Sequence, residues 1–226
     1  MSNMCLTQWY TKDSVRIGEG EFFVRWTPGS VVKCNIDEKS FEYLAIAELV
    51  SAQVFVAISS WKGAGVEFKE VGINENATFQ IKYRDLPDDG RTEPLARAFL
   101  PQTEPGVLYV YEAALVQPCL QHLDKIISHE IGHILGLRHE SGGSKGEERS
   151  IQYGVPDSNS VMMYFNTLTP RTVQEREIEE IKDLYALRNN GVVKNIDLKT
   201  TGIREMRVRD ITPRYSPGLL PILGGL

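Results

Sequence analysis

Three of the chain's four histidines stand in one run, His129-Glu130-Ile131-Gly132-His133-Ile134-Leu135-Gly136-Leu137-Arg138-His139, with one carboxylate and two glycines among them. Residues four apart share a helix face, so His129 and His133 can offer ring nitrogens to one ion from successive turns. Glu130 projects at the neighbouring angle, beside such an ion and placed to take a proton from water. Gly136 can adopt a positive φ, which stops a helix and reverses the chain. That reversal brings His139 back as a third ligand. Three protein ligands leave one position of a tetrahedral zinc open, which is the catalytic arrangement and not the structural one. The fourth histidine, His122, lies near the start of the same predicted helix and reads as a solvated or capping residue.

The elements that must position these residues follow from the pattern. Leu123, Ile126, Ile127, Ile131 and Ile134 form an apolar stripe of helical period that carries the histidine run, with Pro118 ahead of it. Upstream, Glu21 to Trp26 reads as a strand, Pro28-Gly29 as a turn and Val31 to Ile36 as a short apolar segment. A long helix is expected from Asp37 to about Trp61, with Phe41, Ala45, Leu49, Ala52 and Val56 on its inner face. Strands are expected at 66–71, 77–83, 95–100 and 107–111, and an irregular loop at 141–159. A last helix begins at Thr172, with Thr172 and Glu175 as a capping box. Ile178, Ile181 and Tyr185 form its apolar face and Gly191 its cap. The expected class is α/β, with a twisted, mostly parallel sheet of about five strands packed on the long helix and the histidine-bearing helix; the resemblance described below, with its antiparallel edge strand, implies that this sheet is mixed.

Composition frames this reading. A chain of 226 residues with 42% hydrophobic content suits one globular domain with an appendage. We divide it into an N-terminal extension (1–20), a main domain (21–190) and a C-terminal tail (191–226) whose prolines and glycines suggest an extended end. A net charge of -5 without a basic block argues against nucleic acid, and no apolar run is long enough for a membrane span. The start carries no charged region followed by an apolar stretch, so no secretory signal is read there. Cys5, Cys34 and Cys119 are odd in number, so at least one is unpaired within the chain; a Cys34–Cys119 bridge stays open, and the three read best as buried thiols.

The elongated histidine motif, followed by Ser160-Val161-Met162-Met163-Tyr164, resembles the metzincin clan of zinc metalloproteases. Leu95 to Pro101, Ala57 to Val71 and Leu168 to Ala186 are similar to the edge strand, the first helix with its following strand, and the closing helix of matrixins, in the matrixin order. Glu140 after the last ligand is an astacin-like detail. The resemblance implies a zinc endopeptidase with one catalytic ion on His129, His133 and His139, and with Glu130 as general base. It implies support of the ligands from beneath by Met162, in a register preferred over one that uses Met163, oxyanion stabilisation by Tyr164, an antiparallel edge strand, and an extended substrate paired along Ala96, Arg97 and Ala98. Phe165 to Leu168 would shape the pocket after the scissile bond. The cysteine-switch segment and the extra histidines of the matrixins' second zinc have no counterpart, and calcium finds no support in the residues. The expected partner is a protein or peptide substrate, and the expected state a monomer. Two other readings stay open: a zinc-containing protein that captures peptides without cutting them, and an interaction protein with an incidental motif. The intact Glu130 argues against the first.

Overall fold

The computed structural model describes residues 16–17, 21–86, 94–101, 106–139, 150–154, 157–163, 171–196 and 203–216. Its strands are β1 (Arg16–Ile17), β2 (Phe22–Trp26), β3 (Val31–Ile36), β4 (Glu67–Glu70), β5 (Phe79–Arg84), β6 (Ala96–Arg97), β7 (Gly106–Tyr111), β8 (Leu137–Arg138), β9 (Ile151–Gln152), β10 (Val192–Ile196) and β11 (Ile203–Ile211). Its α-helices are α1 (Leu44–Ser60), α2 (Leu123–Ile134) and α3 (Glu175–Ala186). The central sheet has five strands in the order β4-β3-β5-β7-β6. β3 runs parallel to β4 and β5, β5 parallel to β7, and only the edge strand β6 is antiparallel. This is the mixed five-stranded sheet that the sequence led us to expect.

Parallel neighbours need a crossover, and α1 supplies the one between β3 and β4. Alternate residues of the strands (Val32, Cys34, Phe79, Ile81, Leu108, Val110) share one core with Ala47, Val50, Val54 and Ala57 of α1 and Leu123, Ile127 and Ile131 of α2. Burial pushes the Cys34 thiol up to about 12, and Cys34 and Cys119 are both buried free thiols.

The first helix departs from expectation. Glu38–Ser40 form a single 3-10 turn, and the α-helix proper starts at Leu44. Of the expected inner face, only Phe41 is buried, and it precedes the helix; Leu49 and Val56 are exposed. α1 is apolar on nearly every side, so a periodicity reading could not tell which stripe meets the sheet. The stripe that meets the core is Ala47, Val50, Val54 and Ala57.

The last helix is capped two residues later than expected. Gln174 and Glu177 form the reciprocal capping box, and the Gln174 side chain holds Thr172 by donating to its carbonyl and hydroxyl. Gly191 does not cap α3; it opens a hairpin, accepting from the Val208 N–H.

That hairpin is the larger surprise. β10 and β11 pair antiparallel, and β11 then lies parallel to β2 in a separate three-stranded sheet. Met206 and Val208 are buried while Glu205, Arg207 and Arg209 face water. The junction is fixed by Arg25, which is fully buried. Its Nε donates to Asp210 at 2.7 Å, and its other nitrogens donate to the carbonyls of Leu184 and Leu187 at the end of α3. Both carbonyls lie at the C-terminal end of α3, where Leu184 also takes the Leu187 N–H at 3.4 Å, and a cation there suits the helix dipole.

A chain cut after Gly191 therefore loses the ladder of β2 and the carboxylate partner of a buried cation. We expect the cut to destabilise the fold by about 3–5 kcal/mol, measured by denaturant unfolding against the full chain. Equal midpoints and slopes would show that the hairpin contributes nothing.

Candidate metal centre

α2 ends where its sequence dictates. Gly136 takes φ 96°, and a Cβ there would stand 2.8 Å from the Val24 carbonyl oxygen, so both conformation and space demand glycine. The carbonyls released at the helix end are met by large side chains. The Trp26 indole donates to Ile134 at 2.8 Å, and the Tyr185 hydroxyl to Leu135 at 3.1 Å. Midway along α2, the Trp61 indole donates to the Ser128 carbonyl at 2.8 Å. The helix is thus fastened at two levels before any ligand is considered.

The turn at Gly136 brings His139 against the two helical histidines. All three are fully buried, and their ligand atoms lie within 4.8 Å of one another. Nε2 of His129 is 3.1 Å from Nε2 of His139 and 3.2 Å from Nε2 of His133. The opposite nitrogens decide what these short distances mean. His129 Nδ1 is 2.7 Å from the Val161 carbonyl and His133 Nδ1 is 2.9 Å from the Leu137 carbonyl. A carbonyl only accepts, so each Nδ1 carries the proton and each Nε2 a bare lone pair. Burial holds all three imidazoles below their usual range, most strongly His133 and His139, where the neighbouring histidines add to the effect. Neutral rings that point lone pairs at one another repel unless a cation lies between them. Two nitrogens on one zinc at ordinary bond length and tetrahedral angle stand about 3.3 Å apart. The donor set fits zinc in atom type, His129 and His133 fit it in protonation, and the two short separations fit it in spacing.

Glu130 is buried beside this cluster, and its charge acts on both His129 and the Tyr111 phenol. Met162 is fully buried under the helix. A Cβ at Gly132 would collide with its Sδ and reach within 3.1 Å of Trp61, so the glycine inside the histidine motif is what admits the methionine. Met163, the next residue, is only partly buried. Ala96 and Ala98 are buried and Arg97 is exposed on β6, which borders α2. Tyr164 and Phe165 to Leu168 lie outside the described residues. His122 flanks the start of α2, makes no side-chain cap bond and takes no part in the cluster. Among the described residues the three histidines are the one grouping of metal-binding side chains.

Sequence reasoning passed over Glu177. It is 2% exposed, accepts from the Ser160 hydroxyl at 2.5 Å and the Gln174 N–H at 2.7 Å, and takes a longer contact of 3.5 Å from the Val161 N–H. Burial pushes its carboxyl up, and these donors pull it back. Through them α3 holds the turn whose Val161 carbonyl orients His129. The only signal in the sequence was an acid three residues after Gln174, in a helix already crowded with acids.

A mixed sheet over a helix that carries His-Glu-x-x-His, with a third histidine returned by a glycine turn, defines a zincin-type metal site. The chain belongs to the matrixin family, whose model matches residues 25–186. Compared with curated proteins, the sequence finds no match. Among solved structures, the GM1-bound form of the ECX AB5 holotoxin is similar to 76% of this chain over 88% of its own, at 14% identity and a TM-score of 0.47.

Glu177→Ala frees the turn and leaves buried donors unmet. Zinc affinity, measured by competition with a chelating dye, should fall about 10- to 100-fold, the usual effect of losing a group that orients a ligand. An unchanged affinity would remove Glu177 from the metal site.

Proposed function

We propose that this matrixin-family chain is a zinc endopeptidase that hydrolyses internal peptide bonds of proteins or peptides. The observation that carries the reading is the convergence of three buried imidazoles, two of them oriented by backbone carbonyls, with a buried carboxylate on the adjacent helical position. His129, His133 and His139 hold the ion. Zinc bound there supplies Lewis acidity toward water and toward the scissile carbonyl.

The chain's own residues do the rest. Glu130 accepts a proton from the attacking water as its oxygen adds to the carbonyl carbon. It then gives that proton to the amine nitrogen as the C–N bond breaks. Its burial shields this exchange from bulk solvent. Tyr164, two residues after Met162, is assigned a hydroxyl that donates to the developing oxyanion. Met162 and Gly136 act on geometry only, one beneath the ligands and the other at the turn. The substrate lies extended along β6, as an added strand whose backbone supplies affinity. We take 21–190 as the catalytic unit, 1–20 as an N-terminal extension and 191–226 as a tail.

Glu130→Gln should keep one zinc per chain and lower kcat by at least about a hundredfold, with casein or a quenched peptide as substrate. Normal cleavage by that variant would sink the general-base role. A wild-type chain that binds zinc and peptide but cuts nothing would favour a peptide-capturing protein instead. Tyr164→Phe should lower kcat by about a hundredfold with zinc content unchanged, and an equal rate would dismiss the hydroxyl.

A further inference from the structure

The edge strand carries more than a backbone. β6 ends the five-stranded sheet, with β7 on one side and no strand on the other among the described residues. The register of the pair shows which atoms face that open side. The Tyr111 N–H donates to the Leu95 carbonyl at 3.0 Å, and Arg97 pairs with Tyr109 two residues along the same ladder. In an antiparallel pair the hydrogen-bonded positions alternate. Leu95 and Arg97 therefore turn their backbone groups toward β7, and the intervening Ala96 turns its N–H and carbonyl to the open edge. A strand added there bonds at Ala96. The residue it places opposite Arg97 falls in the close, non-hydrogen-bonded register, where side chains on the same face meet.

Arg97 presents a cation at that point. Its side chain lies on the sheet face turned from the core, the face of Tyr109, while Ala96 and Ala98 point inward with exposures of 0% and 6%. Its guanidinium acts on the Tyr111 phenol, which burial pushes toward its neutral form. Arg84 stacks over the Tyr109 ring at 4.7 Å, which sets a second guanidinium on the same face. The Tyr111 phenol also feels the charge of Glu130, so this cationic corner adjoins the proposed chemistry.

We infer that Arg97 is a specificity-determining residue, and that it selects substrates with an acidic side chain at the position paired opposite it on the β6 edge. This rests on the endopeptidase reading and on strand addition at β6. An opposite-charge cross-strand pair is stabilised over a neutral one, and a like-charge pair is opposed. The preference should show mainly in KM, because the contact is present before and during the reaction.

The test uses the full-length zinc-loaded chain and peptides with one fixed scissile bond. Glu, Gln or Lys is walked through each neighbouring position, and kcat/KM is read for each. At one position Glu should exceed Gln by about two- to fivefold and Lys by more. Arg97→Glu should reverse that order at the same position and leave the other positions unmoved. Arg97→Gln should flatten it, and both variants should keep the wild-type melting temperature. Robust cleavage with no charge preference anywhere, or a preference that survives Arg97→Glu, overturns the role of Arg97 and leaves the protease reading standing. If the wild-type chain cuts neither the peptides nor casein, the endopeptidase reading falls and this inference falls with it.

Discussion

Three buried imidazoles drawn together, two of them with their lone pairs fixed by backbone carbonyls, are the constraint that the rest of the structure answers to. His129 and His133 are buried, and their Nε2 atoms, 3.2 Å apart, cannot hydrogen-bond one another when both far nitrogens already hold the protons. The carbonyls that fix those protons come from different places. Leu137 lies just beyond the Gly136 turn, and Val161 lies in the methionine turn held from α3 by Glu177. A backbone shift at either site would rotate a ring away from the common point. The surrounding fold reads as a device for holding two carbonyl oxygens still.

That demand explains the density of large polar-tipped side chains along α2. A 12-residue helix is too short to be stable by itself. Trp61, Trp26 and Tyr185 each bury an apolar ring against it and spend their one donor on its backbone. Gly132 is the counterpart: the place where the helix gives up a side chain so that Met162 can pass beneath.

The metal cluster and the sheet were legible in the sequence because each rests on a single period. His129 and His133 obey the helical repeat, Gly136 marks the reversal, and Phe79, Ile81 and Tyr83 alternate as a strand should. Legibility failed where one pattern hid another. α1 is apolar on both sides, so Leu49 and Val56 were placed inward when Val50 and Val54 are the buried ones. In β11 the alternation of Met206 and Val208 was present, but the arginines and acids between them disguised it. Arg25, in a run of aromatics, gave no hint that it caps α3, since a buried cation is recognised only by partners far away in sequence.

The pairing of β2 with β11 sets an order on synthesis. Arg25 and Asp210 are 185 positions apart, so β2 leaves the ribosome long before its ladder partner exists. Contacts of such span are slow to form and invite pairing with the wrong edge in the interval. Trp26, which fastens the end of α2, belongs to that waiting strand. Maturation of the chain is thus coupled to translation of 203–211, and a polypeptide halted before that segment holds every ligand residue without the clamp that aligns them.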